Sequence, residues 1–293
     1  MDIFKPDKLG NLVNKNEKEA VVDVDFNSSN ISFQFGSRSE KLVSQTSKPL
    51  PKTFINKSST FIPAKEVLSF FPGFRTLYER KYLEFDKCYY NLCRSLEEPL
   101  SKLVTTDDAK ITRSLEDILD GQIEISNGAF YLVKNDKARY EIHLLAEGLR
   151  KLSLLSYLLR NGALTKNSIL FWDEPESNMN PNLISDIVRF LVALSNNGMQ
   201  IFIATHSPYV IESLNNHLMK YKIRGIKSDN KEIANIESLN PKNIAAYLLK
   251  NGSSESIMNK DFGLLDDNLL HSFNNINILY DKMKDIEWSE RDD

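Results

Sequence analysis

Three short stretches of this sequence carry residues able to do chemistry together. In "ILFWDEPESNMNP", Ile169 to Pro181, four apolar residues run into the adjacent carboxylates Asp173 and Glu174, followed by a proline and a polar turn. Ionised carboxylates at the end of a buried strand are costly unless a cation, a ligand or a set of donors meets them. A magnesium ion would do so: Asp173 can hold Mg²⁺, usually through water, while the ion bridges the phosphates of a nucleotide, and Glu174 can polarise a water for in-line attack. In "IFIATHSPYVIESL" the pattern repeats one strand and helix later and puts His206 at a strand end, where an imidazole can donate a hydrogen bond and align that water. In "LLAEGLRKLS", Gly148 stands at the mouth of a helix whose free amides suit an anion such as phosphate. Alone, the acid pair reads equally as a satisfied core pair and His206 as structural. The order and spacing of all three favour a site.

The elements that must position these residues form the most regular part of the chain. Leu149, Leu152, Leu155, Leu158 and Leu159 predict a helix from Glu147 to about Asn161. The strand "SILFWD" follows, then a helix from Pro181 to about Asn196, the strand "QIFIATHS", and a helix from Pro208. Apolar strands without alternation, joined by helices, predict a parallel sheet covered on both faces, and in such sheets ligands sit beyond the carboxyl ends of the strands. The fold class is therefore α/β, with a parallel sheet flanked by helices.

The rest of the chain divides around this core. Residues 1–62 hold two alternating runs, "EAVVDVDF" and "ISFQF", that read as strands among polar loops. Residues 63–120 read as a helical region in which Pro63 and Pro72 punctuate two helical segments, the longer one from Phe74 to about Leu96, with another helix near Asp107 to Leu119. Leu77, Tyr82, Phe85, Tyr89 and Leu92 form a packing stripe on the first of these. The core spans 121–219 and opens with a β-meander whose turns fall at Asn127-Gly128 and Asn135-Asp136. In the tail, 220–293, "NPKNIAAYLLKNG" reads as a helix from an Asn cap to Gly252, and the acidic end "DIEWSERDD" as frayed.

Composition bounds the function classes. At 293 residues and 41% hydrophobic content the chain can bury a large core, and a net charge of −3 provides no global basic field for nucleic acid. DNA contact would need a local patch or a partner. Cys88 and Cys93 have no zinc-type companions, and His143, His217 and His271 show no ligand spacing. No apolar run is long enough to span a bilayer and no signal-like segment follows Met1, which reads as a cytoplasmic protein with no membrane partner. Arg150 and Lys151, and Arg80 and Lys81 in "YERKYLEF", read as solvated surface pairs.

With its motifs in this order, the chain resembles the ABC-type, P-loop ATPases of the branch that includes RecF, SMC and OLD-like proteins and the ATPases of anti-phage systems such as septu and retrons. By that resemblance "AEGLRK" stands where the ABC signature stands, "ILFWDEPE" is similar to Walker B plus a catalytic Glu, "SNMNP" to the D-loop and "ATHS" to the His switch. The match is close over about Gln122 to Leu214, and "FIPAKEVLSFFPGF" resembles the lid region of the defence ATPases. The resemblance implies ATP and Mg²⁺ as ligands, Asp173 on the metal, and Glu174 and His206 as catalytic residues. It also implies that Ala146, Glu147, Gly148, Arg150, Ser177, Asn178 and Asn180 contact a nucleotide sandwiched between two protomers, in a homodimer or heterodimer. DNA and a nuclease or toxin are the further partner classes it suggests, in defence or repair.

Two departures qualify the match. Ala146 stands where many members have Ser, which removes one hydroxyl contact to the γ-phosphate. More consequentially, no G-x-x-x-x-G-K-[ST] occurs, and none of the 11 glycines is followed by Lys. That loop cradles phosphates with amides, its Lys neutralises them and its Ser/Thr ligates Mg²⁺. Met1 therefore reads as lying downstream of a missing strand, loop and helix of roughly fifty to a hundred residues, so that the fold is incomplete at the N-terminus. A truncated product, a split ATPase with a Walker A-bearing partner chain, and a non-hydrolysing pseudo-ATPase that scaffolds a nuclease or toxin are the competing explanations. A sheet edge left open by such a unit predicts tight association or poor solubility.

Overall fold

The computed structural model describes residues 8–26, 29–40, 44–45, 57–101, 106–226, 231–234, 236–250, 252–259 and 263–265, together with 278 and 283. In chain order the strands are β1 (Glu19–Phe26), β2 (Ser29–Gly36), β3 (Ser44–Gln45), β4 (Ser59–Ile62), β5 (Gly121–Ser126), β6 (Ala129–Lys134), β7 (Arg139–Glu141), β8 (Ile169–Asp173), β9 (Gln200–Ala204), β10 (Tyr247–Lys250) and β11 (Ser253–Ser256). The α-helices are α1 (Phe74–Glu79), α2 (Lys87–Leu96), α3 (Thr106–Leu119), α4 (Glu147–Arg160), α5 (Pro181–Asn196), α6 (Pro208–Lys222) and α7 (Lys231–Ala234).

A parallel sheet of order β4-β8-β9 carries the acid pair, and β4 comes from the N-terminal stretch. Leu170 and Trp172 turn one way into a buried cluster shared with the leucines of α4 and the apolar stripe of α5. Each such leucine contributes about 1.5–3 kcal/mol relative to an exposed one. α4 is buried almost all round: its residues 151–159 are all buried, Lys151, Ser153 and Ser156 among them. α5 begins where Asn180 accepts from the Asn182 amide at 2.9 Å with Pro181 as first helical residue, and stops where Gly198 adopts φ 103°.

The opposite face of the sheet differs from the expected double cover. Phe61, Phe171 and Phe202 lie in register across the three strands, yet they are 40%, 36% and 48% exposed. Phe171 and Phe202 stack with centroids 4.8 Å apart. Among the described residues, β9 has no strand on its outer edge.

The β-meander forms as expected, β5-β6-β7, with left-handed Asn127 and Gly128 making the two-residue turn. β1 and β2 pair as an antiparallel hairpin joined by β3. The shorter segment expected between Pro63 and Pro72 is not a helix but turns, where the Glu66 carboxylate accepts from the Ser69 amide, and the expected helix from Phe74 to Leu96 is two helices: Lys81 takes φ 60° after α1, and the chain restarts at α2 so that Phe70, Phe74, Phe85 and Tyr89 cluster. Leu92 is buried, while Leu77 and Tyr82 are exposed and leave the stripe. Arg80 and Lys81 are exposed, as read. The expected tail helix is corrected: Asn240 does cap a turn, but only a 3-10 turn at Pro241–Asn243, and the apolar residues after it form strand β10. The acidic C-terminal run and His271 lie outside the described residues. Among the described residues no helix is long and apolar enough to cross a membrane.

His217 is buried on α6 with Nδ1 2.7 Å from the Glu237 carbonyl oxygen, so the neutral ring donates there. Burial pushes its pKa below the ordinary value. The unfolded chain therefore binds a proton that the folded chain refuses in the window below about pH 6.5, and stability falls with pH there by at most about 1.4 kcal/mol per unit. Thermal melts between pH 7.5 and 5.5 are expected to show this slope in the wild type and a flatter one in His217→Gln.

Candidate active site

The strands β8 and β9 end level, with Asp173 paired to Ala204, so the residues just beyond them emerge side by side at one end of the sheet. Glu174 follows directly and takes φ 45°, a left-handed conformation that costs a non-glycine residue of order 1 kcal/mol and persists only where neighbours hold it. Its amide donates to the Ala204 carbonyl at 2.8 Å. Its Oε1 lies 2.9 Å from His206 Nδ1, and His206 is 74% exposed. The structure thus brings Asp173, Glu174 and His206 to one end of the sheet.

The loop residues are tied to this turn from the other side. The single Ser177 hydroxyl proton has the Glu174 carbonyl at 3.0 Å and the Ala64 carbonyl at 3.3 Å as acceptors, Asn178 takes φ 58° and its Nδ2 donates to Glu147 Oε2 at 3.0 Å, and Asn180 caps α5. Ala146 precedes α4 without a side-chain cap, which leaves its first-turn amides with no acceptor from that side chain. Gly148 is buried, and a Cβ there would meet Leu183 Cδ1 at 3.1 Å and Met179 Cγ at 3.4 Å. Its smallness therefore lets α4 approach the turn and α5.

Sequence reasoning placed the Arg150–Lys151 pair in solvent, and the structure overturns this. Lys151 is 1% exposed, and its Nζ donates to the Glu174 carbonyl at 3.2 Å, the Ser177 carbonyl at 2.9 Å and Ser177 Oγ at 2.5 Å. Burial lowers its pKa against the pull of Glu147, Glu176, Glu174 and Glu66. Arg150 donates to the His143 carbonyl and faces buried Glu66 at 3.2 Å. Two further residues were missed. Buried Glu176 accepts from Thr205 Oγ1 at 2.5 Å, and Thr205 Oγ1 accepts from the Ser207 amide, which joins the turn after β8 to the loop after β9. A third acid three residues after Asp173 was the available signal.

The family model described as "AAA domain, putative AbiEii toxin, Type IV TA system" matches residues 51–212, more than half of the chain and all of the parallel sheet with its loops. The chain belongs to this AAA family. No curated protein matches it. Solved structures similar to this AAA-family chain include the SMC head domain from Thermotoga maritima, at 13% identity and TM-score 0.38, covering 82% of this chain and 73% of the other. An SMC head bound to the C-winged helix domain of ScpA aligns at 12% identity and TM-score 0.46, covering 86% and 79%. An SMC head with an extended coiled coil bound to the ScpA C-terminal domain, from Pyrococcus furiosus, aligns at 9% identity and TM-score 0.38, covering 70% and 76%.

Among the described residues no group of three or more His, Cys, Asp or Glu forms a metal cage. Mg²⁺ is commonly bound through one or two carboxylates with water and substrate phosphates, so the half-buried Asp173 at the strand end fits that mode and an all-protein site does not.

Proposed function

We propose that this chain is the Walker B and signature portion of an ABC-type ATPase that hydrolyses ATP. The observation that supports it most is the Glu174–His206 pair, 2.9 Å apart just past the level ends of two parallel strands. Asp173 would hold Mg²⁺, which supplies charge neutralisation at the phosphates. Glu174 accepts a proton from the attacking water, and His206 fixes the Glu174 carboxylate and donates toward the γ-phosphate. Ala146, Glu147, Gly148, Arg150, Ser177, Asn178 and Asn180 form the rim that meets a nucleotide carried by a second protomer, which couples ATP binding to dimerisation. Buried Gly148 acts by shaping that rim.

The phosphate cradle is the part this sequence does not contain. In this reading a strand–loop–helix element bearing G-x-x-x-x-G-K-[ST], in the same polypeptide or in a partner chain, pairs its strand with β9 and lays its helix on Phe61, Phe171 and Phe202. The half-exposed aromatic row and the edge of β9, on which no strand pairs among the described residues, support this placement. A cytoplasmic role in anti-phage defence or DNA-linked repair, with a nuclease or toxin partner, is suggested by the motif resemblance and by the toxin–antitoxin wording of the family description.

Binding of a fluorescent ATP analogue to the assembly purified natively is the test. Mg²⁺-dependent binding is expected, and Asp173→Ala should weaken it by at least about tenfold to a hundredfold, the scale at which even outer partners of a metal act. Absence of nucleotide binding would instead support a scaffold for a nuclease or toxin.

A further inference from the structure

A buried lysine ammonium is expensive, and Lys151 sits at 1% exposure with its donors spent on two carbonyls and a hydroxyl. The acceptors are the informative part. One is the carbonyl of Glu174 itself, the residue held at φ 45°, and the other two belong to Ser177, next to Asn178 at φ 58°. Two left-handed, non-glycine residues four apart must be held from outside the turn. The Glu174 amide is fixed by Ala204 on one side, and Lys151 fixes the carbonyl on the other. Lys151 lies one helical turn into α4, the helix whose start carries Ala146 to Gly148, and Glu147 of that first turn also binds Asn178.

We propose that Lys151 is a positioning residue for the Glu174 turn, clamping it so that the carboxylate meets His206 and so that turn and signature loop move as one body. This rests on the hydrolytic reading above for its catalytic consequence, though not for its structural one. Lys151 touches neither substrate nor water in this role. It acts through the main chain of Glu174 and Ser177.

Lys151→Met keeps the length and volume of the side chain and removes the charge and all three hydrogen bonds. The variant leaves the carbonyls of Glu174 and Ser177 without that donor and is expected to fold with a lowered melting temperature, which is measured alongside. Hydrogen exchange at the amides of Glu174, Ser177 and Met179 should rise by about tenfold or more, while the amides of α5 keep their protection. In the natively purified assembly kcat should fall by about a hundredfold with ATP affinity within about threefold. Wild-type protection at these three amides in Lys151→Met would overturn the clamp. Raised exchange with unchanged kcat would overturn its catalytic role. If the wild-type assembly hydrolyses no ATP, the functional reading fails while the exchange comparison still decides the clamp. Lys151→Gln, which can restore only part of the donor set, should fall between the two and replaces Lys151→Met if that variant does not fold.

Discussion

Glu174→Gln is expected to reduce ATP turnover by about 10²- to 10⁴-fold while leaving nucleotide bound, and to accumulate an ATP-bound dimer visible by light scattering. The amide has the shape of the carboxylate but cannot take a proton from water. The turn itself should survive, because its φ of 45° is held through the Glu174 amide and carbonyl. The His206 contact at 2.9 Å can persist with an amide oxygen as acceptor. A drop in ATP affinity matching the drop in turnover would show that Glu174 serves binding, and unchanged turnover would remove it from the chemistry altogether.

The second large effect is expected at the half-exposed aromatic face of the sheet. Phe171 and Phe202 stack there, with Phe61 beside them in register, and each would contribute about 1.5–3 kcal/mol if buried by a helix. Phe171→Glu together with Phe202→Glu should leave the fold intact, since Leu170 and Trp172 pack on the other side. The double variant should lose assembly with a P-loop-bearing element and, with it, ATP turnover. It should also be less prone to self-association than the wild-type chain, as judged by sedimentation. Normal assembly and turnover in the double variant would mean that this face is not where a P-loop-bearing element seats.

How much of this was legible depended on whether the signal was local. α5 runs from Pro181 to Asn196 as expected, and its Asn cap, proline and stop at Gly198 are all neighbours in sequence. β8 and β9 were read from apolar runs bounded by polar turns, and their parallel pairing from the helix between them. β4 belongs to the same sheet but is four residues long and distant in sequence, so nothing local marks it as part of the core. "NPKNIAAYLLKNG" carried a helix-start signal that nucleates only a 3-10 turn, and the short apolar run after it fits a strand as well as a helix. The break between α1 and α2 has no Gly or Pro to announce it and follows from aromatic packing. Lys151 was misread for a related reason. Beside Arg150 it looks like a charged surface pair, but α4 is buried nearly all round, and a helix without a wet face offers its charges only internal partners. The acid pair and His206 were legible because paired charges at strand ends are chemically unusual. Their support from Lys151, Glu176 and Thr205 is tertiary.

The most direct test of the central claim is a single-turnover experiment: the natively purified assembly is mixed with a limiting amount of Mg²⁺-ATP, quenched, and assayed for inorganic phosphate. An ATP-hydrolysing centre at Asp173, Glu174 and His206 predicts conversion of the bound ATP to ADP and phosphate in the wild type, and ATP recovered intact from the Glu174→Gln assembly. ATP that the wild type binds and returns unhydrolysed would contradict it and leave the chain as a nucleotide-gated scaffold.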